Sequence, residues 1–292
     1  MKQAFCTLSL AAASVGFAGV ASAVPVYVSF TTDISLNEST SPVAIVEEDV
    51  LLFESNSPGS NTDGDVSVFI DGITTFDASG EDIDAFDVFG GSSYLSTTGA
   101  ASIGGTGFGS NEVVSLTGGT ASVELSIGGS GNLDALSVTS DGFYFSFTTD
   151  QASLTINGEV EGGVLEEDVV FYDPSLPAGN RISLAFDGSA IFDGSTEDID
   201  GFDVIGDNLF LISALTGFDI DGTGFSDGDI VQIAYDPSDP TQSVASLFLS
   251  EDEFDAGFAD DDLDALALIP EPASLAILAA GLGLAATRRR SA

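Results

Sequence analysis

An internal repeat constrains the fold of this chain more than any other feature. Four segments of the first half recur in the second half at offsets of 116 to 119 residues, so the chain is a tandem duplication. The recurring pairs are VYVSFTTD (26–33) with FYFSFTTD (143–150), VEEDVLLF (46–53) with LEEDVVFY (165–172), GEDIDAFDV (80–88) with TEDIDGFDV (196–204), and GTGF (105–108) with GTGF (222–225). The two halves are therefore expected to fold alike.

Each half divides once more. A cluster of the form [IL]-D-[AG]-[FL] occurs four times, and a turn, an aromatic-rich run, an acid-led run and a closing run follow each of the first three. These runs are short, rich in Val, Ile and Phe, and bounded by Gly, Asp or Ser, which is typical of antiparallel strands. The sequence predicts an all-β duplicated domain at 24–268 with four units of about four strands, at approximately 24–82, 83–132, 133–198 and 199–268.

Four such units in series favour a four-bladed β-propeller. The first unit begins at VYVSF without an Asp cluster before it, whereas the domain ends with an extra one, DLDALAL (262–268). We therefore predict that the C-terminal strand pairs beside 26–30 and closes the ring. The small residue after each repeated Asp fits a narrow axis. Two tandem β-sandwich domains are the alternative, and a β-solenoid is less favoured because units of about 60 residues are too long for its coils.

The repeat cadence [IL]-D-[AG]-[FL]…G-x-[FY]-[YF]-F resembles the repeat of hemopexin-like four-bladed propellers. That resemblance implies the same closed ring of four sheets. The hemopexin disulfide has no counterpart in the mature chain, because the single cysteine, Cys6, lies in the N-terminal leader.

The leader has the pattern of a secretory signal peptide. Lys2 precedes an apolar run at 4–20, and the small residues Ala21 and Ala23 flank Ser22 as an A-x-A cleavage signal. We predict a helical signal peptide at 1–23, removed on export.

The C-terminal segment 269–292 combines three parts in order. They are a Pro-Glu-Pro motif, an apolar run at 273–286 that predicts a short helix, and a basic tail: Pro270, Glu271, Pro272, Arg288, Arg289 and Arg290. The apolar run is shorter than the roughly 20 residues that span a bilayer comfortably.

This segment resembles a PEP-CTERM sorting signal. The resemblance implies recognition by an exosortase, a membrane protease-transpeptidase of Gram-negative bacteria, and processing near the Pro-Glu-Pro motif. It also implies transient contact with the inner membrane and export to the cell surface, outer envelope or extracellular matrix. It carries no information about the activity of residues 24–268.

The charge balance of the domain is extreme. Between residues 24 and 269 there are 46 acidic side chains and one basic side chain, Arg181. Nucleic acid is excluded as a partner because its phosphates would be repelled. Two explanations of the acidity remain open. Loop carboxylates bind divalent cations, chiefly Ca²⁺, or the acids form a solvated surface suited to solubility in a salty habitat.

The four repeated aspartates are the first candidate site. In a propeller they would form a ring near one mouth of the channel and hold a cation, or else each would accept backbone N–H bonds at a turn. These residues are Asp84, Asp134, Asp200 and Asp264. Runs of adjacent acids also recur before strands, and we expect them to be solvated loop faces: 47–49, 81–82, 166–168, 197–198 and 260–262.

The stretch DIDGTGFSDGD (219–229) resembles an EF-hand calcium loop in its spacing of oxygen ligands and in its sixth-position glycine. Thr223 stands at the fifth position and Ile230 where the bidentate Glu belongs. The segment is predicted to be a turn-rich strand connection with weak Ca²⁺ affinity, through Asp219, Asp221, Asp227 and Asp229.

The sequence offers little for catalysis. It has no His and no mature Cys, which excludes a Ser-His-Asp triad, a Cys-His pair and a His-bearing zinc site. Only a carboxylate pair of the glycosidase type remains possible, and the chain has no Trp to stack on sugars. We predict a non-enzymatic structural or adhesive protein without an organic cofactor, in contact with envelope proteins or extracellular polysaccharide. A Ca²⁺-dependent polysaccharide-binding module is the alternative.

Overall fold

A computed structural model describes residues 24–30, 34–36, 43–55, 65–79, 81–128, 132–194, 197–250 and 263–269. The predicted signal peptide and the sorting segment from Pro270 onward lie outside these residues. In chain order the strands are β1 (Val24–Phe30), β2 (Ile34–Leu36), β3 (Val43–Ile45), β4 (Val50–Ser55), β5 (Asp65–Ile70), β6 (Ala85–Phe89), β7 (Ser92–Ser96), β8 (Ala101–Ile103), β9 (Thr106–Phe108), β10 (Glu112–Thr117), β11 (Thr120–Gly128), β12 (Leu133–Val138), β13 (Phe143–Phe147), β14 (Leu154–Ile156), β15 (Glu159–Glu161), β16 (Val169–Tyr172), β17 (Ile182–Phe186), β18 (Gly201–Gly206), β19 (Leu209–Ser213), β20 (Phe218–Ile220), β21 (Thr223–Phe225), β22 (Ile230–Ala234), β23 (Val244–Leu249) and β24 (Leu263–Leu268).

Helical structure is scarce in the described part of the chain. One α-helix, α1 (Gly72–Thr75), and two 3₁₀ turns at Gly188–Ala190 and Pro240–Gln242 are present there. None of the described helices has the length and apolar character needed to cross a membrane.

Four antiparallel sheets form the four blades of a propeller. From the axis outward, blade 1 is β24-β1-β4-β5, blade 2 is β6-β7-β10-β11, blade 3 is β12-β13-β16-β17 and blade 4 is β18-β19-β22-β23. The innermost strands β24, β6, β12 and β18 contact one another around the axis. This arrangement confirms the predicted propeller. The two-sandwich alternative is wrong, because all four sheets share one axis.

The ring is closed by the two ends of the domain. Strand β24 pairs antiparallel with β1, so that Leu268 lies opposite Val26 and Leu266 opposite Val28. Just beyond β24, the Ile269 N–H donates to the Pro25 carbonyl at 3.2 Å. The predicted closure by the C-terminal strand is confirmed, and blade 1 is therefore built from residues at both ends of the domain.

The apolar cores lie between adjacent blades. Phe53 of blade 1 and Leu211 of blade 4 belong to one buried cluster, and Phe145 of blade 3 packs with Leu125 of blade 2 in another. Two further clusters fill the spaces between blades 3 and 4 and between blades 1 and 2. Because side chains alternate between the two faces of a strand, each blade contributes to both of its neighbours' cores.

Each blade also carries a short hairpin that the sequence reasoning missed. The hairpins β2–β3, β8–β9, β14–β15 and β20–β21 join the second strand of each blade to the third. In three of them both turn residues have positive φ, the signature of a type I′ turn, at Gly104-Gly105, Asn157-Gly158 and Asp221-Gly222. Strand β14 pairs with β11, so the hairpin of blade 3 extends the sheet of blade 2 to six strands.

The axis requires small side chains, as predicted. A Cβ placed on Gly201 would lie 2.3 Å from the Ser213 Oγ and 2.8 Å from the Leu266 Cβ. Leu266 belongs to the closing strand, so blades 4 and 1 approach each other closely at this glycine. Ala85, Ala135 and Ala265 occupy the corresponding places of the other blades and are fully buried.

Substituting Gly201→Ala is expected to lower the free energy of unfolding by about 1–3 kcal/mol, because the added methyl displaces the closing strand. Urea unfolding measures this change. Gly162→Ala is the matched control, since a Cβ there meets nothing within 4 Å and the backbone has an ordinary φ. Its effect should stay within about 0.5 kcal/mol. Equal effects of the two substitutions would contradict the close approach at the axis.

Candidate metal centre

The innermost strands bring the repeated aspartates to one mouth of the axis. Asp84 directly precedes β6 and Asp200 directly precedes β18, while Asp134 and Asp264 are the second residues of β12 and β24. The side chains of Asp84, Asp134 and Asp200 are only 2%, 8% and 4% exposed, and Asp264 is half-buried. The predicted ring residues are thus interior groups and not members of a solvated surface.

These aspartates are electrostatic neighbours. The charge of Asp264 acts on Asp84, and the charges of Asp200 and Asp84 act on Asp134. Like charges this close disfavour ionisation of one another. The structure therefore brings the four sequence-predicted residues together around the axis.

The tightest group includes one residue that was not predicted as a ligand. Asp134, Asp198 and Asp200 each offer a carboxylate oxygen, and these oxygens lie within 4.8 Å of one another. Among the described residues this is the one group of three acids that converges in this way. All three side chains are more than nine-tenths buried.

Several carboxylate oxygens at this mouth lack donors. Oδ1 of Asp84, Oδ2 of Asp134 and Oδ1 of Asp198 are buried and accept no hydrogen bond from the described residues. The side-chain amide of Asn132 donates to the other oxygen of Asp84. A buried acceptor without a partner is costly, and for a charged oxygen the cost is larger. Protons or a bound cation are needed to offset it.

The pKa values of the ring residues follow from this environment. Burial raises the pKa of Asp84 well above its ordinary value, and the charges of Asp264 and Asp82 raise it further. Burial also raises the pKa of Asp134, to which Asp200, Asp198 and Asp84 add. Both carboxyls therefore hold protons at pH values where ordinary aspartates are ionised.

Two flanking aspartates behave similarly. Burial, followed by the charge of Glu47, raises the pKa of Asp82 to about 7, although its hydrogen bond with Asp264 opposes the shift. Burial raises the pKa of Asp198 to about 6, against the opposing effect of its hydrogen bond with Asp134. Asp82 and Asp198 occupy equivalent positions in GEDIDAFDV and TEDIDGFDV. The duplication has thus placed an additional acid beside each half of the ring.

A repeated serine fixes the backbone that bears these acids. The buried Ser29 hydroxyl donates to the Ile83 carbonyl at 2.9 Å, and the Ser146 hydroxyl donates to the Ile199 carbonyl at 2.8 Å. Both serines belong to the SFTTD segments of the preceding blade. Each one holds the residue just before a ring aspartate, which links the repeat directly to the site.

The expectation that the acid runs are solvated loop faces is wrong for most of their described members. Glu48, Glu167 and Glu197 are 5%, 4% and 8% exposed. Glycines after the last strand of the blade pack against Glu48 and Glu167, and a loop glycine packs against Glu197, at Gly72, Gly188 and Gly194. The run at 260–262 lies outside the described residues.

The last acid of each EED run is a turn acceptor. Asp49 accepts the Gly72 N–H at 2.8 Å through Oδ1, and Asp168 accepts the Gly188 N–H at 3.1 Å in the same way. Each also accepts the N–H three residues before it, as do Glu112 and Asp229 in the other two blades. These four acids serve the blade structure and are not available as ion ligands of the axial group.

The EF-hand-like segment folds differently from a calcium loop. Asp219 lies in β20, Asp221 is in the type I′ turn with φ of 50°, and the chain returns along β21. Asp227 accepts the N–H of Gly228 at 3.2 Å. Asp219, Asp221, Asp227 and Asp229 are not part of the group in which three carboxylates converge.

A second pair of axial acids was missed by the sequence reasoning. Asp203 accepts the Ser137 hydroxyl at 2.8 Å and the Leu268 N–H at 2.7 Å, while Asp87 accepts the Val138 N–H. Each acid therefore binds the next blade. Burial raises the pKa of Asp203 to about 6 and, together with the charge of Asp203, raises the pKa of Asp87 well above its ordinary value. The one sequence feature that could have indicated these two acids is the repeated Phe-Asp-Val.

Comparison with known proteins found likeness in structure but none in sequence. No family model matches the sequence, and no curated protein matches it. Among solved structures, the chain is similar to the hemopexin fold protein CP4 from cow pea, with a TM-score of 0.35 and 9% identity over 75% of this chain and 89% of that one. The assignment of four blades stands on the strand pairing itself.

Proposed function

We propose that the protein is a cation-stabilised structural or binding module, and that Ca²⁺ binds between Asp134, Asp198 and Asp200. The convergence of these three buried carboxylates carries the proposal. The donor set consists of oxygen atoms alone, which suits a hard cation such as Ca²⁺ better than zinc or copper. Such an ion would also satisfy the orphaned oxygens of Asp134 and Asp198.

The absence of countercharge supports this proposal. Arg181 is the one basic side chain between residues 24 and 269, and its guanidinium binds Glu159 at 2.8 Å. The axial acids therefore have no basic side chain of the domain to neutralise them. Protons meet this need at low pH, and a divalent cation would meet it at neutral pH.

The duplication suggests a second ion position. Asp82, Asp84 and Asp264 stand at the positions equivalent to Asp198, Asp200 and Asp134. An ion there would connect the closing strand β24 to the start of β6. It would therefore strengthen the junction at which the ring is closed.

Calcium is expected to raise the thermal midpoint by about 5–10 °C at about one hundred times its dissociation constant, as for any ligand specific to the folded state. Differential scanning calorimetry in CaCl₂ and in NaCl of equal ionic strength measures the effect. Equal responses to the two salts would reject the proposal and favour a generically acidic surface.

Two variants locate the effect. Asp198→Asn should remove most of the Ca²⁺-dependent increase, because it takes away one of the converging carboxylates. Asp219→Asn is the matched control and should preserve the increase, since Asp219 lies in the β20–β21 hairpin. The reverse result would place the ion in the EF-hand-like segment.

We further propose export and sorting to the cell envelope or extracellular matrix, where a rigid ring of blades would have a structural or adhesive role. The signal-peptide pattern at 1–23 and the resemblance of 269–292 to a PEP-CTERM signal support this. Expression in a Gram-negative host with and without its exosortase tests it by fractionation. Retention at the inner membrane without the enzyme, and release with it, is the expected result. An unchanged distribution would refute the sorting.

A further inference from the structure

A groove of about 760 Å³ opens between blades 3 and 4. It is lined by the turn after β12, by strands β13, β16 and β17, and by the β18–β19 hairpin. Asp134 lies near the start of β12, whereas the lining turn follows the end of that strand. The groove and the carboxylate ring therefore lie at opposite ends of the axis, and its volume is in the range of small-molecule sites.

The lining combines an apolar floor with hydrogen-bonding groups. The rings of Tyr144 and Phe171 stack with centroids 4.4 Å apart and planes 28° from parallel. Around this floor lie the Ser183 hydroxyl, the Asn208 amide and the carboxylates of Asp141 and Asp207. Among the described residues, no basic side chain lines the groove.

The other half of the duplication has an additional aromatic ring at the place equivalent to the groove. Between blades 1 and 2, the ring of Phe69 lies 4.3 Å from that of Tyr27 and 6.1 Å from that of Phe86. Tyr27 corresponds to Tyr144, since each lies opposite the equivalent residue of the third strand.

Phe69 and Ala185 are structural equivalents. Phe69 sits at the register shift in β5, between the partners of Val50 and Leu51. Ala185 sits at the same shift in β17, between the partners of Val169 and Val170. One half of the protein therefore places a phenyl ring where the other half has a methyl group, and Ala185 is part of the groove wall.

We infer that this groove binds a neutral saccharide unit. An anionic ligand is excluded by Asp141 and Asp207. A cation would use these carboxylates but leave the donors of Asn208 and Ser183 without a role. Sugar hydroxyls both donate and accept, so they match the full set, while the C–H face of the ring packs on the aromatic floor. The inference rests on the proposed role as a binding module, but not on the Ca²⁺ site.

Affinity electrophoresis of the full chain through gels containing dextran, laminarin, galactomannan or hydroxyethylcellulose tests the inference. At least one of these uncharged polymers is expected to retard the protein. Ala185→Phe should weaken that retardation at least tenfold, because its ring fills the groove. The double variant Ala185→Phe with Phe171→Leu reproduces the residues of blade 1, where Leu52 stands opposite Tyr27, and should have the same effect.

Val244→Phe is the control, since Val244 is 65% exposed on the outer strand β23. It should bind as the unmodified chain does, and near-UV circular dichroism checks that every variant is folded. Failure of all four polymers to bind would overturn the inference, as would undiminished binding by both groove variants. Retardation by poly-L-lysine but by none of the neutral polymers, lost in Ala185→Phe and kept in Val244→Phe, would identify a cationic ligand of the groove and overturn the inference.

Running the gels in EDTA and in CaCl₂ separates this inference from the proposed cation site. Groove-dependent binding in both conditions supports the inference even if Ca²⁺ leaves the thermal midpoint unchanged. Binding that requires Ca²⁺ and survives Ala185→Phe would overturn it, while leaving the cation proposal standing.

Discussion

A chain that ends after residue 262 is expected to lose cooperative unfolding, whereas a chain that ends after Ile269 should keep it. The two differ in strand β24. Leu263 and Leu266 of this strand are each only 1% exposed, and their burial alone stabilises the fold by about 3–6 kcal/mol. That is comparable with the entire net stability of about 5–15 kcal/mol expected for a domain.

Removing β24 would destabilise the fold in further ways besides the loss of apolar burial. Without β24, strand β1 becomes an unpaired edge, which favours aggregation. Asp203 would also lose the Leu268 N–H that it accepts at 2.7 Å, leaving a buried carboxylate with a missing donor at the axis. The shorter chain is therefore expected to lack the sharp near-UV signal of fixed aromatic packing.

Near-UV circular dichroism and urea unfolding of both chains measure this difference. A peptide of residues 262–269 added in trans should restore part of the signal to the shorter chain, because the pairing site on β1 is otherwise intact. Cooperative unfolding of the shorter chain at the midpoint of the longer one would show that closure by β24 contributes little.

The closing strand is a feature that could be predicted from sequence. VYVSF and LDALAL have strand-like alternation, and the duplication showed that one inner strand was missing at the start and present at the end. Because each unit was expected to have four strands, the extra strand at the end was expected to pair with the first strand of the incomplete unit. The two-residue turns of the added hairpins were missed because strands of three residues, such as β20 and β21, are too short to show a period.

The candidate site was only partly predictable. The repeat identified Asp84, Asp134, Asp200 and Asp264 as equivalent, and the structure brings them together. Asp198 was missed because its partner Asp134 lies in another blade, 64 residues away. Such burial is decided by how sheets pack, whereas a run of acids is by itself typical of solvated loops.

The groove illustrates a different limit. Phe69 and Ala185 are unremarkable in the sequence, since both stand in the closing run of a unit. Their correspondence became visible only through the register shifts of β5 and β17. A difference between two copies carries functional information only after the copies have been aligned in space.

Without divalent cations, stability is expected to fall as the pH rises from about 5 to about 8. Asp203 has its pKa raised to about 6 by burial, against an ordinary value of about 3.9. The folded state therefore keeps this proton while the unfolded chain releases it. The stabilising effect of the raised pKa is present below about pH 4 and is lost as the pH passes through 6.

The free energy of unfolding that is lost in this way is considerable. A shift of about two pKa units corresponds to about 3 kcal/mol for the fully buried Asp203. Asp198 and Asp82, with pKa values raised to about 6 and about 7, act in the same direction, but Asp82 is only half-buried and contributes less than its shift implies. Ionisation of all three at neutral pH would remove a large part of the net stability.

At lower pH the dependence of stability on pH has the opposite sign. Hydrogen bonds lower the pKa values of three exposed carboxyls, chiefly from the Gly105 N–H to Asp77 and from Ser175 and Ser238 to Asp173 and Asp236. Their contribution is lost as the pH falls below about 4. The pH of maximum stability is therefore expected at about 4–5.

Asp203→Asn tests the source of the decline, because an amide imitates the protonated carboxyl. At pH 8 it should raise the free energy of unfolding by about 1–3 kcal/mol, and it should flatten the profile chiefly between about pH 4 and 6, where the folded state holds up to about one proton more than the unfolded chain. Asp236→Asn is the control and should leave this decline unchanged. Urea unfolding in EDTA across the pH range measures both. A stability that rises between pH 5 and 8 would contradict the expected release of protons from the buried carboxyls.

Calcium and protons then compete for the same oxygens. At pH 7.5, Ca²⁺ is expected to restore stability by binding the group of Asp134, Asp198 and Asp200 in place of the proton that Asp198 has lost. At about pH 4.5 the raised pKa values keep Asp134 and Asp198 protonated, and the ion should have little effect. Calorimetry at both pH values checks this, with Asp198→Asn as the variant that should lose the effect at pH 7.5. A Ca²⁺ response of equal size at both pH values would show that the ion binds other carboxylates, whose ionisation does not change over this range.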